Sequence, residues 1–253
     1  MEKHTVSASL TDNTRYMNRA LPVKKSFDII ERNLIIGGQN SAFYFIDGFT
    51  KDETMLKLMD SFLNISADDM PEDATSFSTS CIPYVEVDIL GDFDSIFKNL
   101  LSGVTCLFID GYEAAIAIDC RTYPSRSIEE PDKDKSLRGS RDGFVETIVF
   151  NTALMRRRIR DPHLIMEMYE AGASTRTDVA LCYMSDRVDR ELLTTIQNKL
   201  GEIKTQDLKM SQQSLAEALF QRKWYNPFPK YKFTERPDTA CACLMEGKVI
   251  ILT

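Results

Sequence analysis

A short apolar run closed by Asp-Gly occurs twice in this 253-residue chain. Phe45-Ile46-Asp47-Gly48-Phe49 is echoed 63 residues later by Phe108-Ile109-Asp110-Gly111-Tyr112. Such runs are typical of buried strands, and Asp-Gly accepts the backbone angles of a tight turn. Apolar residues at helical spacing follow the first copy, whereas a second apolar run at 115–118 follows the other and predicts a β-hairpin. The chain is therefore expected to combine sheet strands, tight turns and helices.

The remaining apolar patterns alternate in the same way. The spacing in 26–36 fits one face of a helix that Gly37-Gly38 would end. Strands are predicted over 42–46, 84–88, 164–169, 179–184 and 248–252. Helices are predicted over 55–63, 93–101, 144–159, 188–200 and 215–220, the third of these capped by Asp142 and ended by Asp161-Pro162. This pattern predicts an α/β fold of two small α/β subdomains with mixed sheets flanked by helices.

Composition along the chain suggests where the subdomains begin and end. Residues 1–25 are polar, show little periodicity and are expected to form a flexible arm. A first α/β subdomain would then cover 26–122. Residues 123–137 hold two prolines and alternating charges, which is typical of a linker. A second α/β subdomain would cover 138–253.

Several classes of function are disfavoured. The net charge of −7 argues against nucleic-acid binding, and no stretch is long and apolar enough for a membrane span. The two histidines cannot build a His-centred triad or a multi-His metal site, and no phosphate-binding glycine motif occurs. The six scattered cysteines are expected to be reduced and buried, with Cys241 and Cys243 on one face of a strand. Asp47 and Asp110 are interpreted as turn residues and not as catalytic carboxylates. Taken together, these observations predict that the protein has no cofactor and no enzymatic activity.

The feature with most functional content is a basic tract. Residues 136–160 contain six arginines and two acids in a chain that is negative overall. Arg157 is expected on the exposed side of a helix, opposite Met155. The charge can serve the helix dipole, a contact with acids of the other subdomain, a neighbouring subunit or anionic lipid, or an anion site in the loop before the helix. The candidate contact residues are Arg138, Arg141, Arg156, Arg157, Arg158 and Arg160.

At this tract the sequence resembles the A-subunit family of spore germinant receptors, most closely its AF branch. The residues that carry the resemblance are Tyr123-Pro124-Ser125-Arg126, Glu129-Glu130-Pro131, 138–147 and 151–162. Further matches are Ile82-Pro83-Tyr84-Val85-Glu86-Val87, Trp224-Tyr225-Asn226-Pro227-Phe228-Pro229 and Glu235-Arg236-Pro237-Asp238. The similarity runs from about residue 26 to the end of the chain.

This resemblance implies a cytoplasmic N-terminal domain of two α/β subdomains, facing the spore core and followed by helices in the inner spore membrane. It also implies a part in ion release during germination, other subunits of the complex as partners, a homo-oligomer in the full-length protein, and no enzymatic activity. Three hypotheses follow: an assembly and signal-coupling domain, a small-molecule sensor for nutrient germinants, and an enzyme without a recognisable motif. The first is favoured because the sequence offers a folded core and a charged surface without a catalytic constellation.

Overall fold

The computed structural model describes residues 4–50, 52–84, 86–123, 142–172, 174–203, 215–216, 218–219 and 231–253. The chain divides into two compact units. The first comprises Met1–Ser125 and Arg160–Pro162, and the second comprises Arg126–Ile159 and His163–Thr253.

The first unit contains a five-stranded sheet with helices on both faces. Its sheet order is β1-β2-β4-β5-β3, and every neighbouring pair is antiparallel. Its elements in chain order are α1 (Leu10–Ala20), β1 (Ile29–Ile36), β2 (Gln39–Ile46), α2 (Asp52–Leu63), α3 (Ala74–Ser80), β3 (Val87–Leu90), α4 (Phe93–Leu101), β4 (Thr105–Ile109) and β5 (Ala115–Ile118).

Side chains that alternate along β2 and β4 cover the two faces of this sheet. Phe43 and Leu107 lie in one apolar core with Phe62 of α2 and Phe77 of α3. On the opposite face Phe108 stacks on Phe93 of α4 at a centroid distance of 6.1 Å, and α1 also packs against β2 and β4. The unit is therefore a three-layer α/β/α arrangement.

The helix predicted over 26–36 is wrong, because this segment contains β1. Gly37 and Gly38 adopt φ values of 53° and 77°, and Ile36 pairs with Gln39, so the glycines form a two-residue hairpin turn. Ile29 and Ile36 are buried on opposite faces of a sheet that is covered on both sides. Ile35, between the buried Leu34 and Ile36, is apolar although it is 63% exposed, so the apolar residues do not alternate and their spacing imitates that of a helix.

The structure also differs from the expected flexible arm. Residues 10–20 form α1, whose Met17 is fully buried. The Asp110 carboxylate accepts the backbone N–H of Leu10 at 2.9 Å, and Gly111 N–H donates to the carbonyl of Ala8 at 2.8 Å. Only a narrow side of α1 is buried, so its mean polarity conceals the helix. The second Asp-Gly turn thus also caps a helix about 100 residues away in the chain.

The second unit contains the antiparallel sheet β6-β7-β8. Leu181 and Tyr183 of β7 lie in a core with Ile196 and Leu200 of α6. Helices α5 and α7 pack against each other and against β7. The elements are α5 (Ile148–Arg158), β6 (Leu164–Ala171), β7 (Thr177–Met184), α6 (Arg190–Glu202), α7 (Pro237–Met245) and β8 (Ile250–Leu252). Residues 215, 216, 218 and 219 are also helical.

The predicted α/β class is confirmed, with differences in detail. Both sheets, expected to be mixed, are antiparallel in every described pair. Helix α5 starts at Ile148 after Thr147, so Asp142 does not cap it. Cys241 and Cys243 lie on α7 and not on a strand, because Pro237 and Asp238 occupy a helical first turn in which both residues are favourable. The predicted linker lies mostly outside the described residues.

The two units repeat one arrangement of elements. The order α1-β1-β2-α2 recurs as α5-β6-β7-α6, and α4-β4 recurs as α7-β8. Tyr44 pairs with Cys106 as Cys182 pairs with Ile250. Asp47 N–H donates to the Asp28 carbonyl at 2.8 Å, as Ser185 N–H donates to that of His163 at 2.9 Å. Helix α5, strand β7 and helix α6 begin 138 residues after α1, β2 and α2, respectively. This offset identifies equivalent positions in the two units.

Candidate functional site: the outer side of helix α5

The candidate arginines do not form one surface. Arg156 is fully buried, and its Nη2 donates to the backbone carbonyl of Leu164 at 2.9 Å. This bond ties α5 to the first residue of β6. A guanidinium in this position stabilises the unit internally and is not accessible to a partner.

Arg158 also acts largely within the second unit. Its guanidinium forms an ion pair with Asp142 and donates through Nη1 to the carbonyl of Leu154 at 3.2 Å. Asp142 therefore contributes to the end of α5 and not to its start. The pair is partly buried, which strengthens it relative to a fully exposed pair.

A second pair lies at the start of α7. The Nη2 atom of Arg236 donates to Oδ2 of Asp238 at 2.6 Å, and its Nε donates to Oδ1 at 3.1 Å. The bidentate Arg236 guanidinium lowers the pKa of Asp238, and the charge of Arg158 lowers it further. The segment Glu235-Arg236-Pro237-Asp238, which contributes to the family resemblance, thus also holds an ion pair at the start of α7.

Arg157 lies on the outer side of α5 and is exposed, in agreement with the helix phase expected from the sequence. Phe150, seven residues earlier on the same side, is 48% exposed. Glu146 is exposed just before the helix. We name Glu146, Phe150 and Arg157 the α5 surface. Aromatic and Arg side chains are enriched in protein interfaces, so this surface suits contact with another protein.

Of the three remaining candidate arginines, the structure describes one. Arg160 is exposed and follows α5 in the segment assigned to the first unit. Arg138 and Arg141 lie outside the described residues. Phe150 was missed by the sequence analysis because an apolar residue in a helix is normally assigned to the core, and only the burial pattern shows otherwise.

The described residues offer little reactive chemistry. They contain no group of three or more His, Cys, Asp and Glu side chains placed to hold a metal ion. Burial raises the pKa of Cys241 to about 11, so its thiol stays protonated at neutral pH. Burial raises the pKa of Asp47, and the charges of Asp28 and Asp52 raise it further. A hydrogen bond from the Gly48 N–H acts in the opposite direction and lowers it. None of these groups forms a nucleophile–base pair.

The fold and the α5 surface describe an α/β domain of two units with an exposed surface suited to protein contacts. A crystal structure of the N-terminal domain of the A subunit of the Bacillus megaterium spore germinant receptor GerK3 matches with a TM-score of 0.69. That match covers 100% of this chain and 93% of the other at 21% identity, so it supports the fold alone.

The family model for the Bacillus/Clostridium GerA spore germination protein matches residues 16–253, and the chain belongs to this family. It is 33% identical over 252 residues to the stage V sporulation protein AF of Bacillus subtilis, covering 99% of this chain and 51% of the relative. It is 29% identical over 251 residues to the Bacillus subtilis spore germination protein KA, covering 98% and 45%. These findings confirm the resemblance read from the sequence.

The chain spans about half the length of these relatives. It corresponds to an N-terminal domain of the A-subunit type in a family of germination receptor subunits. In the part of the chain that the structure describes, no helix has both the length and the apolarity needed to cross a bilayer.

Proposed function

We propose that this chain is an assembly and signal-coupling domain of a germination receptor or ion-channel complex. In the full-length protein it faces the cytoplasm beside the inner spore membrane, binds other subunits of the complex and copies of itself, and carries out no catalysis. Its contacts transmit the germination signal between those subunits and the membrane part.

The exposed α5 surface is the observation that carries this proposal. Arg156 is fully buried in its own unit, whereas Arg157 and Phe150 of the same helix are exposed. The helix at the equivalent place in the first unit, α1, has the exposed acid Asp12 where α5 has Phe150. The fold therefore does not require an aromatic residue at this position, and a contact outside the unit accounts for it.

The test is photo-crosslinking in spores that make the full-length protein. A photoreactive amino acid replaces Arg157 in one strain and Arg19 in another. Arg19 is the matched control, since it is exposed and occupies the position of α1 equivalent to Arg157. We expect position 157 to crosslink to another germination subunit or to a second copy, identified by mass spectrometry, and position 19 to give little product. Equal yields at the two positions, or no adduct at 157, would overturn the proposal.

A further inference from the structure

Helix α2 presents an unusual outer side. Leu56 is 71% exposed and Leu63 is 59% exposed, whereas Leu58 and Phe62 of the same helix are buried. Leu56 and Leu63 are seven residues apart and thus lie on one side of the helix. The exposed acids Glu53 and Asp60 lie on that side as well. We name Glu53, Leu56, Asp60 and Leu63 the α2 surface.

The repeat supplies an internal control for these leucines. Helix α6 has the same place in the second unit, and its buried Ile196 and Leu200 correspond to Leu58 and Phe62. At the positions equivalent to Leu56 and Leu63, α6 carries Thr194 and Gly201. Helix α6 exposes one leucine, Leu192, at a different position, so a helix in this role packs on its sheet without a pair of leucines on one outward side. Two such residues on one exposed side indicate a contact with another molecule.

Resting on the proposed function, we infer that the α2 surface binds the α5 surface of a second copy of this chain. The charges at the centre of the two surfaces are opposite in sign: the acids Glu53 and Asp60 outnumber Lys57 on the outer side of α2, and Arg157 lies two turns after Phe150 on α5, with Glu146 outside the helix. The spacing also matches, because Leu56 and Leu63 on α2, like Phe150 and Arg157 on α5, are seven residues apart, which is about 10 Å along a helix.

An antiparallel alignment satisfies both kinds of contact. When Phe150 packs on Leu63, Arg157 lies level with Leu56. Glu53 and Asp60 are then each about one turn from the guanidinium, three residues before and four residues after Leu56. The aromatic ring is covered by an apolar side chain, and the cation lies between two carboxylates. Such an interface is heterologous, because each copy uses two different surfaces, and it can continue beyond a dimer.

The experiment is sedimentation velocity on the 253-residue chain and two variants. Leu56→Thr/Leu63→Gln removes the α2 surface, with threonine taken from the equivalent position of α6. Phe150→Asp/Arg157→Glu removes the α5 surface, with aspartate taken from the equivalent position of α1. All four residues are outside the buried core, and circular dichroism checks that each variant is folded.

We expect the unaltered chain to associate with rising concentration and each variant alone to associate at least about tenfold more weakly. A mixture of the two variants should form dimers and nothing larger, since one intact α2 surface then meets one intact α5 surface. As a second route, an Arg157→Glu chain should associate with a Glu53→Arg/Asp60→Arg chain better than either variant does with itself.

Other outcomes overturn the inference in distinguishable ways. If the α2 variant associates like the unaltered chain while the α5 variant does not, the α2 surface is not the partner and the proposed function stands. A mixture that stays monomeric would show that each surface meets its own kind or something else. If the unaltered chain is monomeric up to about 1 mM, a second copy is not the partner. The crosslinks from position 157 in spores then decide the proposed function separately.

Discussion

Asn13 and Asn151 occupy the same position of two equivalent helices, 138 residues apart. Asn13 accepts the N–H of Ser7 at 2.9 Å and donates to its carbonyl at 2.6 Å. Asn151 makes the same pair of bonds with Val145, at 2.8 Å and 2.6 Å. In each unit a buried amide fixes the segment that leads into the helix.

Replacing either asparagine with alanine should therefore destabilise the protein to a similar degree. Each change leaves one backbone donor and one acceptor without their side-chain partner, and we expect the free energy of unfolding to fall by about 2 kcal/mol. Urea unfolding of Asn13→Ala and Asn151→Ala measures this. Asn64→Ala, at an exposed position, is the control and should change stability by less than about 0.5 kcal/mol. Unequal losses would contradict the equivalence of the two amides.

Substitution of the neighbours Arg156 and Arg157 should change the stability of the protein to very different degrees. Arg156→Ala removes a fully buried side chain and its bond to the Leu164 carbonyl, so we expect a loss of about 3 kcal/mol or more. Arg157→Ala should stay within about 0.5 kcal/mol of the unaltered protein, since the residue is exposed. Thermal unfolding of both variants checks this. Comparable losses would mean that the phase of α5 is different from the one described.

The Arg236–Asp238 pair should make stability depend on pH. The pKa of Asp238 is lowered in the folded protein, so its contribution is present above the unfolded pKa of about 4 and is lost as the pH falls through the folded value. The carboxylate side chain is 36% exposed, and solvent screening limits the effect of Asp238→Asn to about 1 kcal/mol at neutral pH.

Urea midpoints of Asp238→Asn and the unaltered protein should therefore converge as the pH is lowered below about 4. Glu246→Gln is the control, since the Glu246–Lys248 pair lies at the surface and should matter less. A difference that persists unchanged at low pH would indicate that the variant acts through packing and not through the ion pair.

Two glycines at equivalent places should not tolerate a side chain. Gly103 has a φ of 100° and a Cβ there would lie 2.4 Å from Cδ2 of Phe49. Gly247 has a φ of 84° and its Cβ would lie 2.6 Å from the carbonyl oxygen of Arg187. Each Gly→Ala change should cost about 2 to 4 kcal/mol. Gly201→Ala is the control on α6, where the space is open, and should stabilise by up to about 1 kcal/mol. Stabilisation at position 103 would contradict the turn geometry.

Part of this fold was predictable from the sequence because some signals were local. Helix α4 was predicted with its observed bounds, since Asp92 caps it and its apolar residues keep a regular helical spacing. The hairpin of β4 and β5 followed from Asp110-Gly111. Strand β1 was missed because apolar residues occupy exposed as well as buried positions, which removes the alternation from its sequence. Helix α1 was missed because only a narrow stripe of it is buried and the rest is polar.

The site was less accessible to sequence reasoning than the fold. The basic tract was recognised and the exposure of Arg157 followed from the helix phase, but the burial of Arg156 depends on tertiary contacts that the sequence does not show. The repeat was also missed. Three identical residues recur at the same spacing in α1 and α5, namely Asn13-Thr14 with Met17 and Asn151-Thr152 with Met155. Such a short identity is hard to recognise without the matching strand registers.

The rate of ion release from germinating spores tests the assembly and signal-coupling role most directly. Spores would carry the full-length protein unaltered, with Phe150→Asp/Arg157→Glu, or with Arg19→Glu as the matched surface control. At equal protein abundance, we expect the α5 variant to slow ion release and the control to match the unaltered spores. Ion release at the unaltered rate in the α5 variant would contradict the claim that this surface couples the domain to its partners.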